Sequence, residues 1–75
     1  MMNDEQKANK INELSKDLSF SLRKLLKKFG VYEANFSRIM LGECNVNKST
    51  QQKLDRMLNF LERVFSLKTQ MLGTV

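Results

Sequence analysis

Apolar residues recur along this chain at three- and four-residue intervals, the spacing that lines one face of an α-helix. Ala8, Ile11, Leu14 and Leu18 form the first such row. Acidic Asp4 and Glu5 precede it, where the helix dipole favours them, so a first helix is expected from Asn3 or Asp4. Ser19-Phe20-Ser21 interrupts the row, and Ser21 is a good N-cap for a second helix over Leu22 to Phe29. At about 100° per residue, Leu22, Leu25, Leu26 and Phe29 share one arc of that helix, with Arg23, Lys24, Lys27 and Lys28 opposite. Gly30 suits the left-handed conformation that ends a helix, and Val31 follows as an apolar anchor. A third helix is predicted from about Tyr32 to Leu41. Phe36, Ile39 and Met40 face inward, Ala34, Ser37, Arg38 and Leu41 outward, and Glu33 and Asn35 lie on the flanks. Gly42 closes it.

After the loop Glu43 to Lys48, Ser49 with Gln52 three residues on is a capping-box pattern, which places the start of a fourth helix there. No Gly or Pro breaks Thr50 to Leu72, and the pattern leaves open whether that stretch is one helix or two. Its polar set is Asp55, Arg56, Asn59, Glu62, Arg63, Ser66 and Gln70. Its apolar set fills nearly half the circumference, with Leu54, Leu58, Leu61, Phe65 and Leu72 at one edge, Met57, Val64 and Met71 in the middle, and Phe60 and Leu67 at the other. A small domain needs a narrower stripe. The surplus beyond Leu61 is expected to be a subunit contact over about residues 57–72, burying Phe60, Val64, Leu67 and Met71 in a homodimer. The alternative is a fifth helix that folds back and covers this face internally.

The fold class that follows is all-α, a bundle of four to five helices forming a single domain over residues 1–75. A chain of 75 residues buries a modest fraction of its surface, so its own core is small. Cys44 is the only cysteine, which excludes an internal disulfide and suits a reducing compartment. The first residues are too polar for a signal peptide, and no apolar run approaches the ~20 residues that span a bilayer. A cytoplasmic location and no membrane partner are therefore expected.

Net charge is +5, and its placement carries more than its sum. Residues 1–20 set Lys7, Lys10 and Lys16 against Asp4, Glu5, Glu13 and Asp17, netting −1. Residues 21–38 set Arg23, Lys24, Lys27, Lys28 and Arg38 against Glu33 alone, netting +4. A positive field concentrated there suits an anionic partner such as nucleic acid, although a solvated basic face has the same composition. There is no His, no Gly-rich phosphate loop and no second Cys, so no enzymatic activity, metal, cofactor or small-molecule ligand is expected.

Two short helices joined by a Gly-centred turn form a helix-turn-helix by spacing. Residues Ile11 to Asn45, INELSKDLSFSLRKLLKKFGVYEANFSRIMLGECN, resemble the helix-turn-helix of phage Cro and repressor proteins, without a gap. Leu25, Phe29, Gly30, Val31, Phe36, Ser37, Arg38, Ile39 and Gly42 fit that family's L-x-x-x-[LF]-G-V-x-x-x-x-[IF]-S-x-I-x-x-G pattern. Leu22 stands where the family usually has Gln, Leu26 where it prefers Ala, and Met40 where Glu is common.

The resemblance implies that the third helix enters the major groove with Glu33, Ala34, Ser37 and Arg38 at the base edges. Arg38 matches the O6 and N7 acceptors of guanine, its alternatives being a phosphate contact or a surface ion pair. Glu33 either accepts from cytosine N4 or simply favours the helix N-terminus. Arg23, Lys24, Tyr32, Asn35, Asn45, Asn47 and Lys48 are the expected backbone contacts. Lys27 and Lys28 are better placed to complement the helix C-terminus. The function so implied is a small transcriptional regulator, a repressor of a phage or plasmid, binding a palindromic operator on double-stranded DNA as a homodimer. Its rival is a protein-interaction module on the same fold, such as an antirepressor, an antitoxin-like partner or a phage-encoded inhibitor.

Overall fold

The computed structural model describes residues 2–73, with side chains as far as Thr69. Four helices make up those residues, and among them there is no strand: α1 (Asp4–Asp17), α2 (Leu22–Phe29), α3 (Glu33–Met40) and α4 (Lys48–Gly73). A reciprocal cap starts α1. The Asn3 Oδ1 accepts from the Gln6 N–H at 2.8 Å, and the Gln6 Oε1 accepts from the Asn3 N–H at 3.0 Å. Two N–H groups that a helix leaves without partners are thus satisfied locally.

The first three helices end alike, with two N–H groups folding back onto the last turn. Phe20 donates to the Ser15 carbonyl at 2.8 Å and Ser19 to Lys16 at 3.1 Å. Val31 donates to Leu26 at 2.9 Å and Gly30 to Lys27 at 3.3 Å, and Glu43 and Gly42 donate to Arg38 and Ile39, both at 3.0 Å. Each reversal needs one left-handed residue: Ser19 at φ 59°, Gly30 at φ 78° and Gly42 at φ 72°. Gly42 also approaches another element, since a Cβ there would sit 3.0 Å from the Glu5 Oε2. Ser19 is the one that is not glycine, and a side chain in that conformation costs about 1–2 kcal/mol. Ser19→Gly should therefore stabilise the fold by about 0.5–1 kcal/mol after the unfolded chain's extra freedom is subtracted. Thermal denaturation should show a midpoint a few degrees higher. An unchanged or lower midpoint would mean the serine hydroxyl offsets the backbone cost.

The core sits where α1 packs against the other three helices. It is built from Ala8, Ile11, Leu14 and Leu18 of the first segment, Leu25, Leu26 and Val31 of the second, and Phe36 and Ile39 of α3. Leu54, Met57, Leu58 and Leu61 of α4 complete it. Ser15 is the buried polar residue, and its hydroxyl donates to the Asn12 carbonyl at 2.8 Å. At the α1–α4 seam Lys7 Nζ meets Asp55 Oδ1 at 2.6 Å, and Gln51 Nε2 donates to Asp4 Oδ2 at 3.0 Å. Asn9 Nδ2 donates to the Met40 carbonyl at 3.1 Å, fixing the end of α3 to α1.

One expectation about α4 is corrected, and one question the sequence left open is answered. It begins at Lys48 and not at Ser49, because Asn47 caps it: the Asn47 Oδ1 accepts from the Thr50 N–H at 2.8 Å. Asn and Ser are both strong N-caps, and here the earlier one wins. It also continues unbroken to Gly73, so no fifth helix folds back among the described residues. At ~1.5 Å per residue its 26 residues reach about 39 Å, which accounts for most of the 44 Å long axis of the molecule.

Candidate functional site

The short helix α3 buries two side chains, Phe36 and Ile39, against the core and half-buries Met40. Successive helical positions are ~100° apart, so Ala34, Ser37, Arg38 and Leu41 must then share the opposite side. All four are exposed, Leu41 by 67%. Tyr32 immediately before the helix is 80% exposed. Water would ordinarily select charged residues for so open a surface, yet this row is small, hydroxylic and apolar around one arginine.

A depression lies along each flank of that row. On the Glu33 side, Arg23 and Lys27 of α2, Tyr32, Glu33 and Lys53 of α4 surround about 450 Å3. Three of those five side chains are cations. On the Asn35 side, Asn35, Asn45, Asn47 and Thr50 surround a smaller one of about 160 Å3, with Ile39, Cys44 and Val46 below. The fold therefore gathers five of the expected backbone-contact residues into two groups, Arg23 with Tyr32 and Asn35 with Asn45 and Asn47. Lys48 and Lys24 stay outside both, exposed at the start of α4 and on the far flank of α2.

Geometry changes what several of these residues have free. Arg23 Nε donates to Glu33 Oε2 at 3.2 Å, bridging α2 and α3, and both side chains are more than half exposed. An exposed pair of this kind contributes at most about 1 kcal/mol, so it orients Glu33 without locking it. The Asn47 carboxamide oxygen is committed to the α4 cap, which leaves its NH2 to face outward interactions. The Arg38 side chain makes no hydrogen bond or ion pair within the described residues.

Of the residues expected at a subunit contact, Phe60 is half-buried and already packed within the chain. Its ring lies 6.4 Å from that of Phe20 and 6.0 Å from that of Phe29, with Lys28 Nζ 5.1 Å from its centroid. Val64 is half-buried against the core, Leu67 is 55% exposed, and neighbouring Phe65 is 41% exposed. The Met71 side chain lies outside the described residues.

Lys27, expected only to complement the helix C-terminus, lines this face as well, and two further residues there were not singled out from the sequence. Leu41 had the signal, an apolar side chain on the outward row of α3. Lys53 had none, because its place depends on a contact 23 residues away, where its Nζ donates to the Gly30 carbonyl at 3.1 Å. That bond also sets a positive charge at the C-terminal end of α2. Among the described residues no three His, Cys, Asp or Glu side chains gather where a metal could sit, and no helix is long and apolar enough to cross a membrane. Searches against protein-family models, curated proteins and solved structures find no match to this chain.

Proposed function

We propose that this protein is a sequence-specific regulator of transcription that binds double-stranded DNA through a helix-turn-helix made of α2, the Gly30 turn and α3. The observation that carries the reading is the outward row of α3, open to solvent and flanked by a depression on each side. A major groove is about 12 Å wide and admits one helix between two phosphate strands. With α3 inserted, Ala34, Ser37, Arg38 and Leu41 meet base edges, and Glu33 reaches them held by Arg23. Leu41 adds an apolar contact suited to a thymine methyl. Arg23, Lys27, Lys53 and Tyr32 then address one phosphate strand, with Lys24 beyond them on the far flank of α2, and Asn35, Asn45, Asn47 and Lys48 address the other.

The regulator acts as a homodimer on a palindromic operator, as an autorepressor of a phage or plasmid. Pairing runs through the part of α4 beyond Leu61, chiefly Val64 and Leu67, with Phe60 contributing only its uncovered edge. No cofactor or small-molecule ligand enters this mechanism.

Selection of bound duplexes from a random pool, at two salt concentrations, tests the reading. A preferred palindromic site should emerge, with affinity falling steeply as salt rises because bound phosphates release counterions. Arg38→Ala should cost about 1–3 kcal/mol on that site and relax one base position per half-site. Lys24→Ala should weaken all sequences alike. No enriched sequence, or a salt slope near zero, would refute the DNA function, and unchanged preference in Arg38→Ala would make Arg38 a phosphate contact.

A further inference from the structure

The other flank of α2 carries a second surface, of which that function uses only Lys24 and the uncovered edge of Phe60. Ser21, Lys24, Leu25 and Lys28 of α2 and its cap, with Phe20 before it and Phe60 of α4, line an open groove of about 270 Å3. Its floor and walls are aromatic and aliphatic, and Phe20 is 38% exposed there. Both charged residues on its rim are lysines, and no acidic side chain lines it. The strained turn at Ser19 sets Phe20 in place, stacked over Phe60. A non-glycine residue in the left-handed region costs free energy and tends to persist where it presents a binding group.

We propose that this groove docks an acidic peptide segment of a partner protein, one bulky apolar side chain packing against the stacked rings of Phe20 and Phe60 while carboxylates on either side meet Lys28 and Lys24. The volume suits a single anchoring side chain, since drug-sized ligands occupy roughly 300–1,000 Å3. The sign of the rim selects against the obvious competitor, a second copy of α4. Residues 62–69 of that helix carry Arg63 and Lys68 against Glu62, so they would bring positive charge to a positive rim. Like charges brought together at an interface suppress association.

The groove and the proposed base-reading row of α3 lie on opposite flanks of α2, and Lys24 is the residue both readings use. Arg23, Leu26 and Lys27 line the depression beside α3, whereas Ser21, Lys24, Leu25 and Lys28 line the groove, so α2 stands between them. The inference needs no DNA binding, and Lys28, the rim charge assigned no role there, tests it independently.

The probe is an acetylated, amidated peptide, Glu-Glu-Leu-Phe-Glu-Glu, titrated into the isotope-labelled full chain, with Lys-Lys-Leu-Phe-Lys-Lys as its counterpart. Backbone amide shifts should centre on Phe20, Ser21, Lys28 and Phe60, with affinity for the acidic peptide at least about tenfold higher. Lys28→Glu should abolish that preference, and Phe20→Ser, at an exposed position, should weaken both peptides while circular dichroism stays unchanged. Equal binding of the two peptides, no binding at millimolar concentration, or preference retained in Lys28→Glu overturns the proposal. Shifts at Phe20, Ser21 and Lys28 on raising protein concentration alone, beyond the shift at Phe60 that the proposed dimer predicts, would overturn it in favour of a second copy. Loss of DNA binding in the selection experiment leaves this result untouched, so the two readings fail separately.

Discussion

Phe36→Ala should remove most of the stability of this protein, whereas Leu41→Ala five positions later in the chain should change it by no more than about 0.5 kcal/mol. Phe36 is 1% exposed and among the largest fully buried side chains, while Leu41 is 67% exposed. Emptying a buried phenylalanine site costs about 3–5 kcal/mol, from lost transfer energy and from the cavity left behind. A chain of 75 residues has on the order of 4–11 kcal/mol in total, and the small size of this core argues for the lower part of that range. Only Phe36 and Ile39 of α3 are fully buried, so the helix has little else to hold it. Thermal melts followed by circular dichroism should show a fall of at least about 12 °C for Phe36→Ala, or no cooperative transition at all. The pair of variants decides which face of α3 is inward. Equal effects from both would mean that α3 is rotated, and the candidate interface would lose its outward row.

That orientation was legible in the sequence because α3 obeys a single period between clear stops. The same holds for α2, whose bounds at Leu22 and Phe29 follow from a clean apolar arc between the Ser21 cap and Gly30. The α4 start was not, because Asn47 and Ser49 both present local cap chemistry and only the bond from Thr50 decides between them. Phe60 was expected at a subunit contact, and its packing within the chain was hidden for a different reason. Its position on the wheel is right, yet Phe20 and Phe29 reach it from other elements, and no periodicity within α4 reports that. The candidate site divides the same way. Exposure of Ala34, Ser37 and Arg38 is a one-helix property and could be read from spacing. The Arg23–Glu33 pair and the grouping of Asn35 with Asn45 and Asn47 depend on how elements meet, so they needed the fold.

Leu67→Asp should leave the helices intact and lower operator affinity by about 10²–10⁴-fold. Beyond Leu61, α4 runs past most of the core of its own chain. The core is complete at Leu61, which is fully buried, but α4 continues to Gly73, about 18 Å further. Isolated helices shorter than about 12–15 residues are marginal in water, and packing of an apolar face is what usually sustains them. Beyond Leu61 that face is Val64, half-buried, and Leu67, 55% exposed. A two-fold related copy would cover it and set two α3 helices roughly 34 Å apart, one DNA turn, on the same side of the duplex. The second half-site is then bound intramolecularly, and this advantage disappears when the dimer does. Leu67→Asp places a charge at the centre of the contact, whereas Ser66→Asp adds the same charge about 100° round the helix and should keep the dimer. Comparing the two removes the general effect of a new negative charge near DNA. Light scattering at micromolar concentration reads the assembly directly. A monomeric parent protein, or a Leu67→Asp chain that unfolds while Ser66→Asp does not, would assign Leu67 to the chain's own packing and end the dimer model.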